Sequence, residues 1–373
     1  MEQAKILIID QNVLVRRAVA SFLEKSDSFI PLWDSGGIKH LRYYIEKTEP
    51  DVVLLAIESE KSEESSLLNM INVSFPSLPI VAISPKTKEG AEAAVLALKN
   101  GAVDVITIPE HRNIILFAKQ HLGKRLYSIL RVANNLHHRQ SLSDEILDSL
   151  IYPQKSFEHF TREHYTVPTP KIIVIGGCTG GPRALFSLIS KLPAQLPVPV
   201  VVVQHFPKIY TRALAEKLDE ESEVNVREAF DGAGAEAGTV WIAPGGYHCE
   251  LNRSGQKTVL NIHYGPREHN ARPGIDMLFR SAAYNWSDKV LGVLLSGSGI
   301  DGIAGAEEIR RAGGEVIVQD PETAIAPELP LSVIRHGLTR AYYSPEKLAE
   351  RLIAVTTRPK KPYNEVTGKE FIG

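Results

Sequence analysis

The sequence has only two cysteines in 373 residues, Cys178 and Cys249. That is too few for a disulfide framework, and a reducing, cytoplasmic setting is expected. No apolar run approaches the ~18–20 residues that cross a bilayer, so membrane insertion is not expected. Met1–Asp10 lacks a basic region followed by a long apolar stretch, and no signal peptide is expected. An excess of positive charge is also missing. The 42 Lys+Arg stand against 44 Asp+Glu, for a formal net charge of -2. A general nucleic-acid binder needs a basic field to meet phosphates, and this balance argues against one. The chain shows no internal repeat. What is present is an ordinary globular composition, 43% hydrophobic and 23% charged, with length for about two to three domains.

Residues 1–125 alternate short apolar runs with helix-like segments. Lys5–Ile9 is apolar and β-branched and ends at Asp10, and Val13–Leu23 follows at helical spacing. Val52–Leu55, continued by Ala56 and Ile57, has no polar face; Ile80–Ile83 and Val103–Ile106 repeat the pattern of short apolar runs, with the Ala-rich stretch Gly90–Lys99 between them. Apolar strands alternating with helices predict a parallel sheet covered on both faces. Residues 126–169 change character: Tyr127–Gln140 reads as a polar helix, and Val167-Pro168-Thr169-Pro170 is stiff and extended because each proline fixes φ. A linker is expected there. Residues 170–358 predict a second α/β unit. Its strand candidates are Ile172–Ile175, Val200–Val203, Thr239–Ile242, Thr258–Ile262, Val290–Leu295 and Glu315–Val318. Helices are expected from the glycine-rich turn through Lys191 and over Arg212–Leu218, Asp276–Ala283, Gly302–Ala312 and Pro345–Thr356. Residues 359–373 are polar and expected to be a mobile tail.

The turn Gly176-Gly177-Cys178-Thr179-Gly180-Gly181 lies where a strand passes into a helix, a natural place for an anion or a reactive group. A dinucleotide fingerprint counted from Gly176 needs its second glycine where Cys178 stands, and the next strand ends in Gln204-His205 rather than in an acid for a ribose. A phosphate-binding Walker loop needs Lys after Gly181, where Pro182-Arg183 follows. Both fail. A nucleophile at a tight strand-to-helix turn remains, with the helix dipole lowering the thiol pKa of Cys178 and neighbouring backbone N–H groups turned toward an oxyanion. The competing reading is a packed, inert cysteine beside a structural turn. Two distant residues bear on the choice. His205 ends one apolar strand, and Asp301 follows another after Ser296-Gly-Ser-Gly-Ile300. In an open parallel sheet the carboxyl ends of the strands face one crevice, so a nucleophile, an imidazole and a carboxylate form a plausible triad. Otherwise His205 is a hydrogen-bonded structural residue and Asp301-Gly302 a turn or helix cap. Cys249 follows His248, but two such neighbours do not make a metal site, and a structural role is expected.

Several ordered motifs resemble the CheB-type chemotaxis protein-glutamate methylesterases. They are Ile175-Gly-Gly-Cys-Thr-Gly-Gly-Pro182, Val203-Gln-His-Phe-Pro207 with Thr211-Arg-Ala-Leu-Ala-Glu-Lys-Leu218, Ile242-Ala-Pro-Gly-Gly246, Arg272-Pro-Gly-Ile-Asp-Met-Leu-Phe279 and Gly297-Ser-Gly-Ile-Asp-Gly302. The resemblance covers nearly the whole chain. It implies a flavodoxin-like receiver domain, a linker and a doubly wound, mostly parallel methylesterase domain. It also implies hydrolysis of glutamate methyl esters, and deamidation of glutamines, on the cytoplasmic helices of methyl-accepting chemotaxis receptors or similar signalling proteins, with no cofactor and no metal. The nucleophile position falls on Cys178, the general base on His205 and the orienting carboxylate on Asp301. Gly177, Thr179 and Gly180 fall in the oxyanion turn, and Arg183 and Arg272 are candidates for gripping an acidic receptor surface. The family's nucleophile is serine, so Cys178 is a departure; Ser298 and Ala271 are smaller ones.

The receiver half departs further. A working receiver resembles a strand ending in two acids, a phosphoacceptor aspartate, a Ser/Thr and a Lys-Pro pair. Here the corresponding residues are Asp10 with Gln11, Ala56, Ser84, and Ile108 with Pro109. Ala56 has no oxygen to phosphorylate, and without it and with Gln11 neutral a Mg²⁺ ion loses two hard oxygen charges. A pseudo-receiver is expected, with Glu58 the alternative acceptor. Two functions then compete: a cysteine-based methylesterase free of phospho-control, and a catalytically inactive adaptor that binds receptor arrays or partner proteins. A Cys178 thiolate is also open to reversible oxidation.

Overall fold

The computed structural model describes residues 3–108, 132 and 169–357, apart from 26, 34–39, 60–62, 256 and 340. The first sheet is built by β1 (Ala4–Ile9), α1 (Val13–Leu23), β2 (Phe29–Trp33), α2 (Leu41–Thr48), β3 (Val52–Ala56), α3 (Glu63–Ser74), β4 (Ile80–Pro85), α4 (Lys88–Lys99) and β5 (Asp104–Ile108). Its strands are parallel in the order β2-β1-β3-β4-β5, the flavodoxin-like order. The apolar runs are buried on both faces for a stated reason. Leu7, Val53, Leu55 and Ala82 point into one core with α2, α3 and α4, while Ile6, Ile8, Leu54, Val81 and Ile83 point into another with α1. Side chains two residues apart share a face, so a strand covered twice reads as unbroken hydrophobicity.

The second sheet follows from β6 (Ile172–Gly177), α5 (Gly181–Ile189), β7 (Val200–Gln204), α6 (Lys208–Glu220), β8 (Asn225–Glu228) and β9 (Thr239–Ile242). A hairpin of β10 (His248–Ser254) and β11 (Lys257–His263) intervenes, antiparallel and separate from the sheet. Then come α7 (Ile275–Trp286), β12 (Val290–Leu294), α8 (Ile303–Arg311), β13 (Glu315–Gln319), α9 (Glu328–Arg335), β14 (Tyr342–Tyr343) and α10 (Pro345–Thr356). The seven strands are parallel in the order β14-β13-β12-β6-β7-β9-β8. From β6 the chain runs outward to β7, β9 and β8 on one side, and later returns to place β12 on the other. The order therefore reverses at β6, and a crevice opens at the carboxyl ends of β12, β6 and β7.

The two sheets touch. Helix α4 packs against α5 and α6, the cores on that side are continuous, and Lys99 Nζ meets Glu221 Oε1 at 2.6 Å across the seam. The linker expected over 126–169, with its helix at Tyr127–Gln140, and the tail at 359–373 lie outside the described residues, save 132 and 169. Among the described residues no helix is long and apolar enough to cross a membrane.

Candidate active site

Cys178 is the first residue beyond β6, and two anchors fix it. Its backbone N–H donates to Ser296 O at 3.0 Å, and its carbonyl accepts from Gly181 N at 2.9 Å and from Gln204 Nε2 at 2.8 Å. The chain then turns through Gly180 at φ 77, a left-handed conformation that glycine adopts without strain. A Cβ there would lie 2.5 Å from Ser296 Oγ and 2.6 Å from Ile325 Cβ, so glycine is required twice over. Helix α5 starts at the next residue, with Pro182 in its first turn, where the missing N–H costs nothing. The result points a partly exposed thiol at the head of a helix.

His205 follows β7 directly and is tied to the turn by its own N–H, which donates to Gly177 O at 3.1 Å. Its Nε2 lies 2.9 Å from Asp301 Oδ2, and the ring is also hydrogen-bonded to the Cys178 side chain. Asp301, in the loop after β12, is buried and receives backbone donors from the start of α7: Ile275 N to Oδ2 at 2.8 Å and Asp276 N to Oδ1 at 2.9 Å. A helix N-terminus is a favourable seat for an anion.

The electrostatics follow from these contacts. Burial pushes the Cys178 thiol up, but the charge and hydrogen bond of His205 outweigh it and leave the thiol below its ordinary value of 9.0. Burial pushes the His205 ring down, but Cys178 and Asp301 together raise it. Burial likewise works against the Asp301 charge, yet the hydrogen bond and charge of His205 and the α7 amides hold it below the usual carboxylate range. The arrangement favours a thiolate–imidazolium pair backed by a carboxylate. Cys249 has no such partner: it is fully buried on β10 and its thiol is pushed up to about 12, as expected for a structural cysteine.

Of the other residues singled out in the sequence, Gly177 closes β6 within the sheet ladder, paired with Gln204, rather than within the turn itself. Thr179 turns its hydroxyl away to Asp104 of the first sheet at 2.8 Å, and its backbone N–H supports the Cys178 sulfur. Arg183 is exposed on the first turn of α5. Arg272 lies over the Tyr264 ring, 3.7 Å from its centroid, with Nη1 on Gly265 O, and its carbonyl accepts from Gly246 N at 2.9 Å. It thus stands one short loop before the α7 head that seats Asp301.

Three supporting residues escaped the sequence. Buried Asp276 accepts from Gly302 N at 2.9 Å and Gly305 N at 2.6 Å, bracing the loop that carries Asp301. Ser296 Oγ donates to Thr179 O at 2.7 Å and accepts from Ala326 N at 2.8 Å, and Gln204 fills the space beneath the turn. Each role depends on a partner distant in sequence, and only Ser296 carried a signal, its place in the Ser-Gly-Ser-Gly loop. Glu268, His269 and Asp276 are, among the described residues, a group whose ligand-type atoms come within 4.8 Å of one another. Glu268 is already paired with Arg280 at 2.7 Å and Asp276 with His269 at 3.2 Å.

At the carboxyl edge of the first sheet, Ala56 ends β3 and is buried, and Asp10 is buried after β1 while Gln11 is exposed. Ser84 is fully buried and its Oγ donates to Gly90 O of α4 at 2.6 Å, and Ile108 ends β5. The five residues lie on or just beyond the carboxyl ends of adjoining strands, as the receiver pattern requires.

Fold and site together define a class: a doubly wound α/β protein with Cys178, His205 and Asp301 gathered at its topological switch point, joined to a flavodoxin-like unit. Residues 173–352 match the CheB methylesterase family. The protein-glutamate methylesterase/protein-glutamine glutaminase of Trichodesmium erythraeum is 35% identical over 355 residues, covering 95% of this chain and 99% of that relative. Its counterpart in Thermotoga maritima is 34% identical over 353 residues, covering 93% and 98%. The crystal structure of the CheB methylesterase catalytic domain of Thermotoga maritima matches 50% of this chain and 98% of that one, at 40% identity and a TM-score of 0.49. The chain belongs to the CheB-type protein-glutamate methylesterase family.

Proposed function

We propose that the protein is a cytoplasmic chemotaxis methylesterase that hydrolyses glutamate methyl esters, and deamidates glutamines, on receptor helices through a Cys178–His205–Asp301 triad. The observation that carries this reading is the His205 ring, hydrogen-bonded to Cys178 on one side and 2.9 Å from Asp301 on the other. The Cys178 thiolate attacks the ester carbonyl, and a C–S bond forms as the carbonyl electrons move to oxygen. Backbone N–H groups at the head of α5, those of Thr179 and Gly180, steady the oxyanion. The tetrahedral species collapses as the C–O bond breaks, and the His205 imidazolium gives its proton to the departing methoxide, releasing methanol. Water, deprotonated by His205, then attacks the thioester, and the C–S bond breaks to leave the glutamate carboxyl and restore the thiolate. Asp301 keeps the ring oriented and stabilises its charged form throughout. Arg272 and Arg183 grip acidic groups of the receptor surface around the scissile ester.

The amino-terminal unit is a pseudo-receiver in this reading. Ala56 offers no carboxylate, Gln11 no second acid and Ile108 no lysine, so aspartyl phosphorylation does not control the site.

Methanol release from methylated receptor by the purified protein tests the function. Release well above that of His205→Ala is expected. Receptor binding with release no greater than that of His205→Ala would reject it in favour of a non-catalytic adaptor.

A further inference from the structure

Asp104 opens β5 of the first sheet, yet its carboxylate ends beside the nucleophile turn of the second. Oδ2 accepts from Thr179 Oγ1 at 2.8 Å, and Oδ1 accepts from Val105 N at 2.7 Å. Both side chains are withdrawn from water, Asp104 at 4% exposure and Thr179 at 8%. Thr179 directly follows Cys178, and its carbonyl is held by Ser296 Oγ at 2.7 Å. One threonine is therefore gripped at its hydroxyl by the amino-terminal unit and at its carbonyl by the second sheet. The same seam carries the packing of α4 on α5 and α6 and the Lys99–Glu221 pair.

A carboxylate buried at this seam is poorly screened, so its field reaches the sulfur. The charged groups facing Cys178 are His205 from the end of β7, which favours the thiolate, and Asp104 from β5, which opposes it; Asp301 stands behind His205. The opposing charge comes from the other unit and exists at the site only while the two are docked. The lost phosphorylation pocket lies at the carboxyl ends of β3, β4 and β5, whereas Asp104 lies at the amino end of β5.

We propose that Asp104 is a positioning residue for the reaction: in the docked molecule it pins Thr179 and sets a negative charge beside Cys178, a restraint on the nucleophile that one side chain of β5 supplies. The inference rests on Cys178 being the nucleophile. Alkylation of Cys178 by iodoacetamide, followed against pH in the full chain, reads it without a substrate. Asp104→Asn keeps an oxygen for the Thr179 hydroxyl and removes the charge. Its alkylation midpoint is expected at lower pH than in the native protein, with the rate at neutral pH higher by about threefold to tenfold. Cys249, buried with its thiol pushed up to about 12, is the unreactive internal control. Lys99→Glu, which sets two acids against each other across the seam, is expected to move the midpoint the same way by loosening the docking. A folded Asp104→Asn protein with an unchanged midpoint overturns the inference; if that variant does not fold, an unchanged midpoint in Lys99→Glu does so. Methanol release measured on the same samples separates the two claims. A moved midpoint without methanol leaves the restraint standing and removes the esterase, whereas methanol with an unmoved midpoint does the reverse.

Discussion

Cys178 sits between a cation that favours its charge and an anion that opposes it, and the balance lies with His205. That balance sets a pH profile. On the acid side activity falls as the thiolate takes up a proton, and because the thiol is lowered this limb lies below 9.0. On the alkaline side it falls as the imidazolium loses the proton it must give to methoxide, and because the ring is raised this limb lies above 6.5. A bell-shaped kcat for methanol release is the expected result; replacing Asp301 by Asn should bring the alkaline limb down, because the ring loses an anionic partner. Cys178→Ala is expected to abolish release, and His205→Ala to reduce it by about a hundredfold or more. Cys178, His205 and Asp301 were legible in the sequence because each stands just past an apolar run, and strand ends in a parallel sheet converge on one edge. Asp276, Gln204 and Thr179 were not legible in their roles. Their work is done through hydrogen bonds to residues 26 to 75 positions away, which no local pattern encodes.

At the scale of elements, the site depends on where α7 and α8 begin. Asp276 belongs to the first turn of α7 and caps the start of α8 through Gly302 N and Gly305 N. Asp276→Ala leaves two buried backbone donors without an acceptor, a cost of about 1–3 kcal/mol for each group so exposed. The expected outcome is a lowered melting temperature together with a fall in kcat, because the Asp301 loop loses its brace. Gly180→Ala should act more locally. A side chain at φ 77 that meets Ser296 Oγ at 2.5 Å must displace the turn, and kcat is expected to fall by at least tenfold with little change in KM. The central strands and the helices α1, α4, α6, α7, α8 and α10 followed their periodicity. Others did not. Edge strand β2 contains Pro31, which suits only an edge, and β8 alternates polar and apolar over just four residues. Helix α9 starts within Pro327-Glu-Leu-Pro330, which reads as a turn until the prolines are seen to occupy its first positions. The hairpin partner of β11, strand β10, reads as polar because its outer half is exposed.

Across the whole molecule, a unit with the strand order of a receiver is docked on an esterase-type unit, and Gln11, Ala56 and Ile108 stand where the receiver pattern calls for an acid, a phosphoacceptor aspartate and a lysine. Acetyl phosphate is therefore expected to leave no phosphoryl adduct on the protein and to leave the rate of methanol release unchanged. A covalent adduct, or a stimulated rate, would refute this. At the seam, Asp104 of the first unit meets Thr179 of the second. The parallel α/β character of both units was readable from alternating apolar runs, whereas the contact between them depends on α4 facing α5 and α6, which no motif announces. The measurement that bears most directly on the account is the pH-dependent alkylation of Cys178 in the native protein and in His205→Ala. The account predicts fast alkylation near neutrality in the native protein, its midpoint moved to higher pH when His205 is lost, with Cys249 silent in both. A Cys178 that reacts no faster than an ordinary thiol, and is indifferent to His205, would contradict it.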